Sequence, residues 1–420
     1  SATVDIVDKY TSAVYASSSG VDSNPYACDV NGLATLGGCG KSETGTAKSL
    51  LPDGGIARAV TLAGAFVPQT WATGGRILSM EEVKDFYRSN DFREMADLGV
   101  NTVQIPVPCD TFYEGGDVER TVSKLLDRID GAGLSAILVL VAPDTMEEEG
   151  TTDEIIDEHV KSAAMYARDS SVVIALQLPS PRPSLLSSVR SEASELSVLI
   201  PTTRETLNTL SAPPDSHVFA ALDVQTTASV AGVASSDSQG DRMKMFYHES
   251  ITCIDRSPIE WLECYRDMPV YVTSGFDLAT DDCIDHDKEH FKDYGQCDRF
   301  DETISSGWWD RHRQSLASRQ MYVYSRGLGW SFSAWKLYGE DSKSGDIDAP
   351  ANLLCLRDVA AAGLMPPLTS AAAPDSSSAL ACLNGPQADF ILGDETLAPT
   401  PGPHDCGNGW WNVATEQCDY

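Results

Sequence analysis

Between about residue 56 and residue 340, short apolar, β-branched runs alternate with longer stretches in which apolar side chains recur at helical spacing. The runs are Ala57–Ala63, Thr102–Val107, Ala136–Val141, Val172–Leu178, Ser197–Ile200, Val218–Leu222, Val270–Thr273 and Gly329–Ser333. Between them, Ser79–Leu98, Asp117–Ala132, Thr152–Arg168 and Trp308–Tyr324 place charges between apolar positions three and four apart, which predicts helices. Eight strands alternating with helices over about 300 residues predict an α/β fold, a (β/α)8 TIM barrel.

The flanks read differently. Residues 1–50 are rich in Gly, Ser and Thr and are expected to form an N-terminal extension, so the barrel is assigned to 51–365. Residues 366–420 form a Pro/Ala/Ser-rich tail, marked by Pro366-Pro367, Ser376–Ser378 and Pro399–Pro403. It ends in Cys406-Gly407-Asn408-Gly409-Trp410-Trp411 and Cys418, where a bridge would close a small loop. No internal repeat is found.

Composition narrows the partners. The 420 residues are 42% hydrophobic and 22% charged, which is ordinary globular material. A net charge of −32 repels phosphate backbones and anionic lipid, so neither nucleic acid nor a membrane surface is an expected partner. No apolar run approaches the roughly 20 residues that span a bilayer, and membrane insertion is not expected. The eleven cysteines lack Cys-x-x-Cys or Cys/His metal spacing, which points to disulfides in an oxidising compartment with at least one cysteine left over. A chain starting at Ser1 fits one whose signal peptide has been removed, and the expected location is secreted, extracellular or cell surface. There is no Asn-x-Ser/Thr sequon, so no conventional N-glycans are expected, and the Ser/Thr/Pro-rich tail leaves O-linked sugars open.

Several landmarks, in order, resemble the secreted exo-β-1,3-glucanases of glycoside hydrolase family 5. Asp91-Phe92-Arg93-Glu94-Met95-Ala96-Asp97-Leu98-Gly99-Val100-Asn101-Thr102-Val103-Gln104-Ile105-Pro106 resembles the family's helix leading into strand two. Val272-Thr273-Ser274-Gly275-Phe276-Asp277 followed by Asp281-Asp282-Cys283 resembles strand seven, and Gly329–Lys336 resembles strand eight. The resemblance, from about Val60 to Leu364, implies a site with two carboxylates roughly 5 Å apart, an acid/base and a nucleophile.

The family's motifs are altered at that site. Matching the prolines of Asn-Glu-Pro on strand four puts Pro179 at the Asn and Ser180 at the acid/base Glu, and the nucleophile position falls on Gly275. The strand-one Glu is matched by Gln69, the strand-two Arg by Gln104, the strand-three His by Leu140, and the His-bearing end of strand six by Leu222-Asp223-Val224. Ser180 and Gly275 supply neither an acid nor a nucleophile, so no catalytic residue is assigned and the chain is expected not to be an enzyme. Displaced acids are the alternative, with Asp277 and Asp144 as candidates.

Other chemistry is expected to be absent. His286-Asp287-Lys288-Glu289-His290 fits a short zinc-peptidase pattern but lies between Cys283 and Cys297, where a charged surface loop accounts for it. No metal or cofactor is expected. Trp330 and Trp335 are expected to pack the barrel, while Trp71, Trp410 and Trp411 are candidate glycan or partner contacts. Resemblance and proximity imply disulfides Cys28–Cys39, Cys283–Cys297 and Cys406–Cys418, and Cys253 with Cys382. Cys109, Cys264 and Cys355 stay unassigned.

The expected function is therefore a non-catalytic building block of an extracellular or cell-surface assembly, contacting itself or other extracellular proteins. A glucan-binding relative without turnover and an active β-glucanase with displaced carboxylates are the alternatives.

Overall fold

The computed structural model describes residues 49–67, 78–142, 153–203, 215–224, 268–278, most of 313–337, 353–369 and, as backbone, 410–412 and 417–419, with Pro213, Ile259 and Leu262 singly. Eight parallel strands, β1 (Ala57–Thr61), β2 (Thr102–Pro108), β3 (Ser135–Val141), β4 (Val173–Gln177), β5 (Ser197–Thr202), β6 (Val218–Asp223), β7 (Val270–Phe276) and β8 (Gly329–Phe332), close into a barrel in sequence order. The expected (β/α)8 barrel is observed.

Parallel strands wrapped by helices are buried on both faces, which is why their runs are almost uninterruptedly apolar. Alternation still sorts the side chains into two sets. Val60, Val103, Ile105, Leu138, Leu176 and Val272 point outward and join the helix layer. Ala57, Ala59, Ile137, Val139, Ala175, Phe219 and Tyr271 fill the lumen.

The helices follow from local signals. The segment 79–98 forms two helices rather than the single one its periodicity suggests: α1 (Met80–Phe86) and α2 (Ser89–Leu98). Ser79 opens α1 with a capping box, its Oγ accepting from the Glu82 N–H at 3.3 Å while Glu82 accepts from the Ser79 N–H at 2.8 Å. A second start signal interrupts the pattern when Asp91 accepts from the Arg88 N–H at 2.7 Å. Gly99 ends α2 in the left-handed conformation, φ +95°. Then come α3 (Thr111–Glu114), α4 (Asp117–Asp130), α5 (Asp153–Asp169), α6 (Pro183–Glu192) and α7 (Leu356–Ala361). The described residues of 313–324 are helical, and Trp330 and Trp335 are fully buried, Trp330 edge-on to Phe276.

Closure is tight where β8 meets β1. Gly329 (φ +129°) lies so close to β1 that a Cβ there would fall on the Ala57 carbonyl. At the opposite, C-terminal end of the barrel, Asp91 accepts from Trp335 Nε1 at 3.1 Å and Lys336 Nζ at 2.6 Å, tying the start of α2 to the segment after β8. Burial lowers the Lys336 pKa, and the adjacent Asp91 opposes that shift.

The C-terminal segments β9 (Trp410–Asn412) and β10 (Gln417–Asp419) pair antiparallel, with Trp411 opposite Cys418. The expected disulfide partners other than Cys418 lie outside the described residues, and the stapling of the extensions is not shown. Cys109 and Cys355 are buried, and desolvation pushes the Cys109 thiol up to about 12.

Candidate functional site at the barrel mouth

Chemistry in this fold is carried at the C-terminal ends of the strands. Among the described residues, the ends of β4, β6, β7 and β8 have a feature that bears on it here.

The lumen is crossed just below the mouth by a belt of neutral polar side chains. Gln104 of β2 donates through Nε2 to the Thr273 carbonyl at 3.0 Å, and its Oε1 accepts from the Tyr271 hydroxyl at 3.2 Å. Thr273 of β7 donates to Gln177 Oε1, at the end of β4, at 2.6 Å. Beside them the Thr61 and Ser331 hydroxyls of β1 and β8 are 2.9 Å apart. Burial pushes the Tyr271 hydroxyl pKa up, so it stays a neutral donor. Buried polar groups are tolerated only when paired, and this belt is paired across the barrel from β2 through β7 to β4. It forms an uncharged floor.

Above the floor, β7 is irregular. Val272 pairs with Trp330 and the next pair is Phe276 with Phe332, so four steps along β7 match two along β8. The excess is accommodated at Thr273–Gly275, with Gly275 at φ +89°. Such bulges re-aim the residues that follow. Asp277, 2% exposed, comes next. Its Oδ2 lies 3.2 Å from Ser333 Oγ, just past β8, and its carbonyl accepts from Gln320 Nε2 at 2.8 Å. Ser333 also donates its N–H to the Phe276 carbonyl at 2.8 Å, which fixes the two strand ends together. The neighbouring strand β6 ends in half-buried Asp223, paired with Ser274.

The strand-four end is built by Pro179 and Ser180, both half-buried; Ser180 Oγ accepts from Arg182 Nε at 3.3 Å, and Arg182 pairs with Asp153. Arg182 is also among the charges acting on the Cys109 thiol.

The positions read from the sequence divide as follows. Gln104 is in the floor, Gly275 is in the bulge, and Asp277 is at the rim. Leu140 requires a correction, because it belongs to the outward set packed on the helices. The lumen-facing positions of β3 are Ile137, Val139 and Val141, so Leu140 cannot face a ligand in the mouth. Gln69, Trp71 and Asp144 lie outside the described residues, and for Trp410 and Trp411 only the backbone is described. Gln177, Thr273 and Ser333 were not singled out. The signal available for Gln177 was a lone polar residue near the end of the apolar run 172–178. Among the described residues, no group of three or more His, Cys, Asp or Glu side chains is arranged to hold a metal ion.

No family model matches the chain, and no curated protein does. Among solved structures, a cellulose synthase subunit Z from Clostridioides difficile aligns at 10% identity and TM-score 0.43, over 71% of this chain and 98% of that one. The endoglucanase Cel5A of Thermotoga maritima aligns at 13% and 0.43, over 71% and 96%. A rutinosidase from Aspergillus niger aligns at 9% and 0.48, over 74% and 97%. Likeness at this level concerns the barrel fold alone. The expectation that the chain is not an enzyme is nevertheless corrected here. Replacement of the family's own acids does not show loss of activity, because the described mouth keeps two carboxylates, Asp223 and Asp277.

Proposed function

We propose that this chain is an extracellular, glucanase-like barrel that receives a β-linked glucan at its C-terminal mouth, with Asp277 as the carboxylate directed at the sugar. The observation that carries the proposal is the placement of Asp277. It lies two residues past the position at which the exo-β-1,3-glucanase resemblance expects the nucleophile, its carboxyl is in contact with Ser333, and the bulge of β7 sets its position. An uncharged floor suits a neutral saccharide better than an ion, since an unpaired charge there would meet no countercharge. Hydrolytic use of Asp277 needs a second acid within reach, and Asp223 on the adjacent strand is the described candidate.

The test is titration of the full chain with a β-1,3-linked gluco-oligosaccharide by calorimetry, together with a reducing-end assay on laminarin. Saturable binding that weakens in Asp277→Asn supports the proposal, and turnover lost in the same variant extends it to hydrolysis. Absence of saturable binding overturns it.

The C-terminal hairpin favours a second role, docking on another extracellular protein or a second copy. Trp410 and Trp411 sit on one short strand of a hairpin, and aromatic side chains concentrate binding energy at interfaces. Deleting residues 404–420 would then abolish assembly in light scattering while leaving the melting transition of the barrel unchanged. Retained assembly would rule this role out.

A further inference from the structure

Gln177 differs from every other member of the floor. Gln104 uses both ends of its amide inside the belt, Nε2 on the Thr273 carbonyl and Oε1 under the Tyr271 hydroxyl. The Thr273 hydroxyl has one proton and two acceptors in reach, Gln177 Oε1 at 2.6 Å and Gln104 Oε1 at 3.3 Å, and the shorter contact takes it. Thr61 and Ser331 satisfy each other. For Gln177 that leaves Nε2, which has no partner among the described residues. Gln177 is the last residue of β4 and shares the lumen face with Ala175, which places it at the C-terminal, mouth end of the barrel. The residue as a whole is 8% exposed, and its orientation is fixed by Thr273 from across the lumen.

A carboxamide with its oxygen tied down can act outward only as a donor. It reads lone pairs, and being neutral it offers no charge to select a charged ligand. An anion would in addition approach a chain of net charge −32. A saccharide hydroxyl or ring oxygen supplies an uncharged acceptor of the right kind. Because the amide is already held, little rotamer freedom is lost on binding.

We infer that Gln177 is a recognition residue of the mouth, its side-chain NH2 donating to an oxygen of a neutral saccharide while Thr273 holds the amide in register. This deepens the proposed function and rests on it. Gln177→Glu keeps the accepting oxygen and the shape but replaces the NH2 by a second acceptor, and Gln177→Met keeps the length without a donor. Both are expected to weaken calorimetric binding of a short β-1,3-linked gluco-oligosaccharide by about tenfold or more, with far-UV circular dichroism unchanged. In the unmodified protein the Gln177 side-chain amide resonances should shift on titration, a readout independent of whether either variant folds. If the unmodified protein binds the oligosaccharide, but the variants bind equally well or the amide resonances stay still, the inference is overturned while the proposed function stands. If the unmodified protein does not bind, both fall.

Discussion

Two hydrogen-bonding side chains at opposite ends of the barrel are used in opposite ways. At the N-terminal end, Arg190 of α6 spends all five of its donors: Nε and Nη2 on the two Asp215 oxygens at 2.8 and 3.1 Å, Nη1 on the Ala193 and Leu196 carbonyls, and Nη2 again on the His217 carbonyl. At the C-terminal end, Gln177 spends its oxygen and keeps its NH2. A saturated group fixes two loops to a helix and has nothing left to offer a ligand. A half-spent group keeps a donor for a ligand, and this one lies where the fold conventionally carries function. The same division holds for backbone geometry. Gly329 and Ala57 seal the N-terminal ends of β8 and β1 by close approach, whereas the β7 bulge at the mouth abandons regular pairing.

The largest expected effect is at the seal. Gly329→Ala places a methyl group on the Ala57 carbonyl at a φ that side chains rarely adopt, so the β1–β8 seam must open. A loss above about 4 kcal/mol, or failure to fold, is expected in chemical denaturation. A loss under about 1 kcal/mol would show that the seam can yield. Next comes Gly275→Glu, the substitution that puts a carboxylate at the family's nucleophile position. At φ +89° it should cost about 1–3 kcal/mol through backbone strain, so a gain of hydrolysis is not expected without repair of the bulge. A Gly275→Glu protein that melts like the parent and cleaves laminarin would show that the bulge is no obstacle. Thr273→Val removes the hydroxyl that anchors Gln177 and should cost about 1–2 kcal/mol, with loss of oligosaccharide affinity in the same sample.

The bulge also marks where sequence reasoning stopped. All eight strands were legible as apolar runs, several to within a residue or two, because burial on both faces leaves little room for polar residues. The same burial erases the alternation that tells inward from outward positions, so nothing in the run itself opposed matching Leu140 to the family's strand-three His, although it packs on the helices. The division of 79–98 into α1 and α2 was missed because both halves keep one apolar period and the break lies in caps. Gln177 could not be read as a site residue from the chain alone. What makes it one is Thr273, 96 residues away, and a register that brings both into the lumen.

The smallest effect concerns the saturated end and depends on pH. The hydrogen bonds from Arg190 hold the Asp215 carboxyl below its usual range, with the His217 N–H at 2.8 Å adding to the shift. A carboxylate whose folded pKa is depressed contributes stability that is fully present above the unfolded value near 3.8 and is lost as pH falls through the folded value. Arg190→Met should therefore lower stability at pH 7, mainly by stranding the Ala193, Leu196 and His217 carbonyls, and should flatten the stability profile below about pH 4 because Asp215 then titrates near its unfolded value. Asp215 is partly exposed, so the acid-side change should be modest and should shrink with added salt. The measurement is a set of denaturation midpoints for the two proteins between pH 2.5 and pH 7. Parallel profiles over the whole range would mean that the pair contributes geometry at the closed end but no electrostatic stability, and the contrast with the mouth would then rest on unspent donors alone.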